Sequence, residues 1–533
     1  EDSTKLLVRR AVARFCGAVG ERIDGGSTGR LLLYLATGFV ISRAVYIAAG
    51  VRFDAAPLGF FWQYLDPELV RNDLLRSCFH LHGQPPIFNM FLGVTLKLAG
   101  ESSTSVFQGI YLACSFVLSA AVLLLQIRLG VSRTVALVLA TLFMISPSCV
   151  LYEHWLFYSL PAAVLLTLSA LFLHEFLRKR RTWAVVCVFV MLLLLAGIRC
   201  GFHLVHIPLV ASALVVLCRG NRRSIVLAAL VPLLALGLLS CRSLALFGKF
   251  GGDSWLGMNV WSTTGRNLPV SVREQLVEDG KLSQLSLIQP FSPLARYPAE
   301  YREAEGFEDV AALRQTEKST GPPNLNHLAY IAISDGYLRD ALFVAGHHPR
   351  AVCVGISRAW FQYFVSSAED AALLVNRAKL EPMVNLYDYL FYGKIPYNLS
   401  RIGRLPIYAR GRRHYVYAFL LLGLPILGFH AVHLSLKSRG PRGGLTFSQR
   451  MLILYLCFNI LYVALTTNTL LLGENNRIRF MTDPFYIVLA GLFVQYFLIP
   501  RLAHRREGPQ HRVPEDDVLQ KPLPTSGNSA PSP

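Results

Sequence analysis

Carboxylates and guanidinium groups in short polar segments between long apolar runs are the side chains here that could do chemistry. The first segment reads Phe60-Phe61-Trp62-Gln63-Tyr64-Leu65-Asp66-Pro67-Glu68, and it runs on to Arg76. Asp followed by Pro is an N-cap signal, because the carboxylate accepts from free N–H groups and proline suits the first helical position. The aromatic prelude suits the headgroup level of a bilayer, so Asp66 lies where a substrate carried on lipid phosphate would be presented. A helix cap and a working acid are both open readings of Asp66. Asp54 is a rival acid, while Glu68 and Asp73 read as solvated or paired, Asp73 with Arg76 at i,i+3. His80 and His82 do not share a helix face at i,i+2, which argues against a metal site built from them alone. Tyr152-Glu153-His154-Trp155 sets an acid and an imidazole in a second turn, as part of a site or as a wetted turn. In Gly473-Glu474-Asn475-Asn476-Arg477-Ile478-Arg479, two guanidinium forks either grip a phosphate or pair with Glu474 and Asp483.

The elements that position these residues are set by composition. Of 533 residues, 53% are hydrophobic and 16% charged, too apolar for one water-soluble core. Apolar runs near 31–50, 105–127, 134–151, 157–177, 183–199, 203–218, 224–246, 414–436, 449–468 and 481–500 read as about ten transmembrane helices. Crossing by 85–100 would make eleven; read instead as an interfacial helix, it leaves all the basic clusters (5–14, 128–133, 178–181, 219–223, 437–442, 501–506) cytoplasmic. The net charge of +19 lies mainly in those clusters, as orientation signals do, and does not indicate nucleic acid. Arg43, inside the first run, must snorkel or pair inward. The expected class is an all-α polytopic membrane protein. Its parts are a cytoplasmic segment 1–30, a membrane core 31–246 with outer loop 51–104, a mostly helical outer domain 247–413, membrane helices 414–500 and a disordered tail 501–533. The four outer segments, 51–104, 151–157, 247–413 and 469–480, should face one another. The opening stretch lacks a signal-peptide core, which leaves targeting to the first span. The ten cysteines show no paired CxxC spacing, so neither a disulfide framework nor a zinc site is indicated.

Taken in order, these motifs resemble the GT-C glycosyltransferases, in particular the branch with the aminoarabinose transferase of lipid A and the protein O-mannosyltransferases. Asp66-Pro67-Glu68 matches the acidic motif, Gln84-Pro85-Pro86-Ile87 the Lys-Pro-Pro-Leu type motif, and Arg477-Ile478-Arg479-Phe480 with Pro484 the terminal Arg-Tyr and Pro pattern. Two departures stand out: Gln84 replaces a phosphate-contacting lysine, and Pro67 splits the acidic pair. The resemblance implies a GT-C-like bundle and inverting transfer of a sugar from a polyprenyl-phosphate donor to a glycan, lipid or protein acceptor on the non-cytoplasmic face. Asp66 is then the expected general base. Asp54, Glu68, Glu153 and His154 are further catalytic or acceptor-binding candidates, and Arg76, His82, Gln84, Arg477 and Arg479 are expected at the donor phosphate. No cofactor is implied, and a divalent metal is not indicated. The expected location is a bacterial inner or plasma membrane rather than the endoplasmic reticulum, and the other partners are membrane lipids. The rival readings are a transporter or lipid flippase without bond chemistry, and a scaffold subunit of an envelope-assembly complex; the gathering of charge at one face favours an enzyme.

Overall fold

A computed structural model describes residues 25–202, 204–397, 414–437 and 444–506. The first 24 residues, the sequon at Asn398, most of the 437–442 cluster and the tail beyond 506 fall outside the described residues. In chain order the principal helices begin with α1 (Thr28–Ala48), α2 (Pro67–Asn72), α3 (Ile87–Ala99), α4 (Ser103–Arg128) and α5 (Arg133–Met144). They continue with α6 (Pro147–Glu153), α7 (Ser159–Lys179), α8 (Thr182–Ile198), α9 (His206–Leu217) and α10 (Arg222–Phe247). The stretch after α10 carries α11 (Leu256–Thr263), α12 (Ala329–His347) and α13 (Pro349–Tyr363). A short antiparallel pair, β1 (Lys394–Tyr397) and β2 (His414–Tyr417), precedes α14 (Ala418–Lys437), α15 (Phe447–Leu470), α16 (Asn475–Arg479) and α17 (Asp483–Phe493).

Among the described residues, seven stretches are long and apolar enough to cross a bilayer: α1, Ile87–Arg128, α7, Arg219–Phe247, α14, α15 and Asp483–Leu502. α5 and α6 form a further pair bent by 55°, and α8 and α9 are shorter apolar helices. The apolar runs expected to span are thus helical, save that the run 414–436 opens with strand β2. Seven or, with the bent pair, eight stretches among the described residues are long enough to cross, against the ten expected, and the chain is an all-α polytopic membrane protein. The α5–α6 bend has a local cause. Ser146 caps α6 by accepting from the Cys149 N–H (3.2 Å), and Pro147 has no N–H to continue the helix before it. α3 has 13 residues, a length of about 20 Å against about 30 Å of hydrocarbon. Its first turn is pressed on α8, where a Cβ on Gly197 would stand 2.1 Å from Ile87 Cδ1.

The two ends of the bundle differ in chemistry. At one end Arg133 donates to Gly26 O (2.5 Å), Gln449 Nε2 to Arg128 O (3.0 Å) and the Ser132 N–H to Gln495 Oε1 (3.0 Å), while Arg180 lies over Phe447 at 5.7 Å. The basic turns 128–133 and 178–181 therefore gather there. At the other end parts of the segments 51–104, 151–157, 247–397 and 469–480 meet. The Asp54 N–H donates to His154 O (2.8 Å), Tyr152 Oη to Ser367 O (3.1 Å), the His82 N–H to Asn326 Oδ1 (3.0 Å) and Gln362 Nε2 to Gly473 O (2.6 Å). The stretch between α10 and β1 divides in two. Trp255, Met258, Trp261, Tyr297, Tyr330 and Tyr337 build an apolar core of their own, whereas Leu373, Leu380 and Val384 join the core of the membrane bundle.

Candidate functional site

Where the four connecting segments meet, they enclose a cavity of about 570 Å³ with charged, amide and aromatic walls. Arg477, carried on α16, lines it and is 1% exposed. Its guanidinium is paired with Glu474 and lies 4.4 Å from the centre of the Phe157 ring; its Nε has no hydrogen-bond partner among the described residues. Burial works against this charge, but Glu474, with Asp370 contributing, holds the Arg477 pKa above its ordinary value. Arg199, the residue after α8, lines the same cavity and is 5% exposed. It sits 5.4 Å from the centre of the Tyr158 ring, and its Nη1 also lacks a partner among the described residues. Arg266, exposed, is the third arginine of the lining.

Asp370 supplies the buried carboxylate of this wall. It is 6% exposed, and its Oδ1 accepts from the Ala372 N–H (2.9 Å) at the start of a short 3₁₀ turn. Burial pushes its pKa above the ordinary aspartate value, and Arg477 pulls against that shift. The backbone that presents Asp370 is pinned by Arg479. Arg479 is fully buried and donates to Asp483 (2.9 Å), to Tyr363 O (2.5 Å), to Val365 O (2.9 Å) and to Ser367 Oγ (2.9 Å). Ser367 donates in turn to Asp483 Oδ2 (2.8 Å).

The residues singled out from the sequence fall into three groups. Gln84 and Arg477 line the cavity. Asp66, Arg479, Glu153, His154 and His82 are buried near it but committed to other bonds. Asp66 caps α2 by accepting from the Glu68 N–H (2.9 Å) and holds the stretch between α11 and α12 by accepting from the Ser319 N–H and Oγ (both 2.6 Å). Lys318 lies beside it, donates to Phe61 O (2.6 Å), and is lowered by burial to about 8 against the pull of Asp66. Glu153 receives Arg43 through bonds of 3.0 Å, so the intramembrane arginine pairs inward. His154 Nδ1 is 3.0 Å from Val150 O, while its buried Nε2 has no hydrogen-bond partner among the described residues. His82 lies between Ser254 Oγ (2.6 Å) and Asn326 O (2.9 Å), and burial depresses it to about 4, so it is uncharged at neutral pH. Asp54, Glu68 and Arg76 form the third group, outside the lining. Asp54 accepts from the Ala56 N–H (3.0 Å), Glu68 is exposed, and Arg76 pairs with Asp309 at the surface. Sequence reading missed Asp370, Arg199 and Arg266. The signal for Arg199 was present: it follows an apolar helix at the end of the bundle away from the basic turns, the end that also holds Arg477. Among the described residues, no group of three His, Cys, Asp or Glu side chains is placed to hold a metal ion.

No protein-family model and no curated protein matches the chain. Among solved structures it is similar to the Archaeoglobus fulgidus oligosaccharyltransferase tethered with an acceptor peptide containing the NVT sequon, with a TM-score of 0.34 and 12% identity. It is also similar to the archaeal oligosaccharyltransferase AglB from Archaeoglobus fulgidus in complex with an inhibitory peptide and a dolichol-phosphate, with a TM-score of 0.33 and 11% identity. Both matches cover 90% of this chain and 52% of the other, so the chain spans about half their length.

Proposed function

We propose that this protein is a membrane glycosyltransferase of the GT-C kind, moving a sugar from a polyprenyl-phosphate carrier to an acceptor hydroxyl at the non-cytoplasmic end of the bundle. The observation that carries this reading is a pair of buried guanidinium groups, Arg199 and Arg477. Each has a nitrogen without a partner among the described residues, and both line the cavity that also holds the Asp370 carboxylate. Buried donors of that kind call for an anion, and guanidinium forks match phosphate oxygens. A second cavity of about 330 Å³ shares Gln84 and Cys200 with the first and is walled by Ala196, Phe202, Leu204, Val205, Leu236 and Leu239. It offers an apolar berth for the lipid chain beside the phosphate, between α8, α9 and α10.

In the reaction, the acceptor hydroxyl oxygen attacks the anomeric carbon while its proton passes to the Asp370 carboxylate. The bond from that carbon to the phosphate oxygen breaks, and polyprenyl phosphate leaves with the electron pair, inverting the centre. Charge grows on the phosphate as the bond breaks, and Arg199 and Arg477 stabilise it without having to reorganise. Asp370 takes the role expected of Asp66, because Asp66 is outside the lining and spends both carboxylate oxygens on Ser319. Arg479 acts as a positioning residue through Ser367.

The test is transfer from a radiolabelled polyprenyl-phosphate sugar pool in membranes carrying the protein or its Asp370→Asn variant. Transfer by the unaltered chain and a loss of about 100-fold or more in the variant are expected. Failure of the unaltered chain with every donor would remove the transferase reading, and undiminished transfer by Asp370→Asn would remove the base.

A further inference from the structure

The more exposed side of the cavity is built differently from the arginine side. Trp62, from the first outer segment, is 39% exposed and stacks on Phe291 of the outer stretch, with ring centres 5.2 Å apart and planes inclined by 27°. Phe291 also meets Trp255 edge-on at 5.7 Å, and all three rings line the cavity. Two features fix this cluster in place. Phe291 has φ of 62°, a left-handed conformation that a bulky aromatic residue seldom adopts and that the surrounding contacts must hold in place. Trp255 is locked by its indole N–H on Leu325 O (3.2 Å) and by Gly83, where a Cβ would stand 2.4 Å from the indole ring. Beside Trp62, Gln63 is 7% exposed and lines the cavity, and its Oε1 has no hydrogen-bond partner among the described residues.

Stacking surface next to an amide acceptor in want of a donor is what a neutral sugar ring satisfies. Its C–H face packs on aromatic rings, and its hydroxyls donate to carboxamide oxygens. The cavity also separates its functions by depth. Arg199 and Arg477 are 5% and 1% exposed, whereas Trp62 is 39% exposed, which leaves its ring accessible to an acceptor. We infer that Trp62, Phe291 and Gln63 form an acceptor subsite for a neutral saccharide, so that the acceptor hydroxyl is borne by a glycan rather than by a peptide or a lipid. This rests on the transferase reading for the word acceptor, but not for the binding itself.

The test uses the full chain in lipid nanodiscs, free of glycosidic detergent, titrated with maltose, cellobiose, mannobiose and chitobiose while tryptophan fluorescence is followed. At least one disaccharide should perturb the emission saturably. Phe291→Gly removes the ring but suits the left-handed backbone, which offsets part of the packing lost, so it should stay folded by circular dichroism and yet bind that sugar about tenfold more weakly. Trp62→Leu should lose affinity similarly. Absence of saturable binding by every disaccharide, or affinity within twofold in both variants, would overturn the subsite. A parallel titration with undecaprenyl phosphate separates the two readings. Lipid-phosphate binding without sugar binding sinks the saccharide subsite alone, and the reverse result sinks the phosphate cradle while leaving the subsite.

Discussion

Arg477 and Arg479 stand two residues apart on one short helix and take opposite assignments. Arg479 spends its donors on Asp483, Ser367 and two carbonyls, so it belongs to the frame. Arg477 keeps Nε in reserve and faces aromatic rings rather than carbonyls. Alternation of this kind lets a five-residue helix both hold the strap that carries Asp370 and serve the cavity in front of it. Asp370 determines how the rate should respond to pH. Burial raises its pKa, so protonation begins at a higher pH than for an ordinary aspartate, and a protonated carboxyl cannot accept the hydroxyl proton. The apparent kcat/KM for transfer should therefore fall as pH is lowered, with its midpoint above the reference value of about 3.9. A profile that stays flat down through the ordinary carboxylate range would contradict the assignment. Asp370 could not be read from the sequence. It meets Arg477 only because Arg479 reaches back more than a hundred positions to Tyr363, Val365 and Ser367, and no local pattern encodes that contact.

At the scale of elements, the charges inside the bundle are framework. Arg43 on α1 and Glu153 at the end of α6 form a fully enclosed pair, with Met144 O (2.9 Å) and Ser115 Oγ (3.1 Å) taking the other guanidinium donors. Removing one partner strands the other in an apolar interior. Glu153→Ala should lose about 3–5 kcal/mol of stability, read as a lowered unfolding temperature in micelles, and the double replacement Arg43→Leu with Glu153→Leu should recover most of it. A single variant as stable as the unaltered chain would refute the framework role. The sequence announced Arg43's need for a partner through its cost in a span, but it could not choose Glu153 over any other acid. Element type was the legible part. Long apolar runs gave helices, Ser146-Pro147 broke one of them, and Asp66-Pro67 opened α2 as its cap pattern says. What the cap pattern could not disclose was Ser319, 253 positions away, which takes up the same carboxylate.

For the whole molecule, the decisive feature is polarity from end to end. Basic turns collect at one end, and the aromatic, amide and guanidinium cavity occupies the other, so the bundle is oriented by the same charges that make the two ends chemically distinct. A cysteine introduced at Glu101 should label with an impermeant reagent from outside intact cells, and one at Arg180 only after the cytoplasm is opened. The reverse pattern at either site would invert the bundle and place the cavity on the wrong face. The meeting of the connecting segments was legible from the parity of the spans. Which side chains meet there was not, because packing in three dimensions selects Asp370 and Phe291 from stretches that look unremarkable in isolation and brings Arg199, visible as a charge at the end of an apolar helix, to the same cavity. The proposed transfer requires one juxtaposition, a lipid phosphate between two buried arginines. The most direct measurement is a cryo-electron microscopy map of the protein in nanodiscs saturated with a polyprenyl-phosphate sugar. The phosphate should lie within hydrogen-bond reach of the Arg199 and Arg477 guanidinium groups, with its chain running toward Phe202 and Leu239. Density for that lipid at any other place, with the cavity left to water, would contradict it.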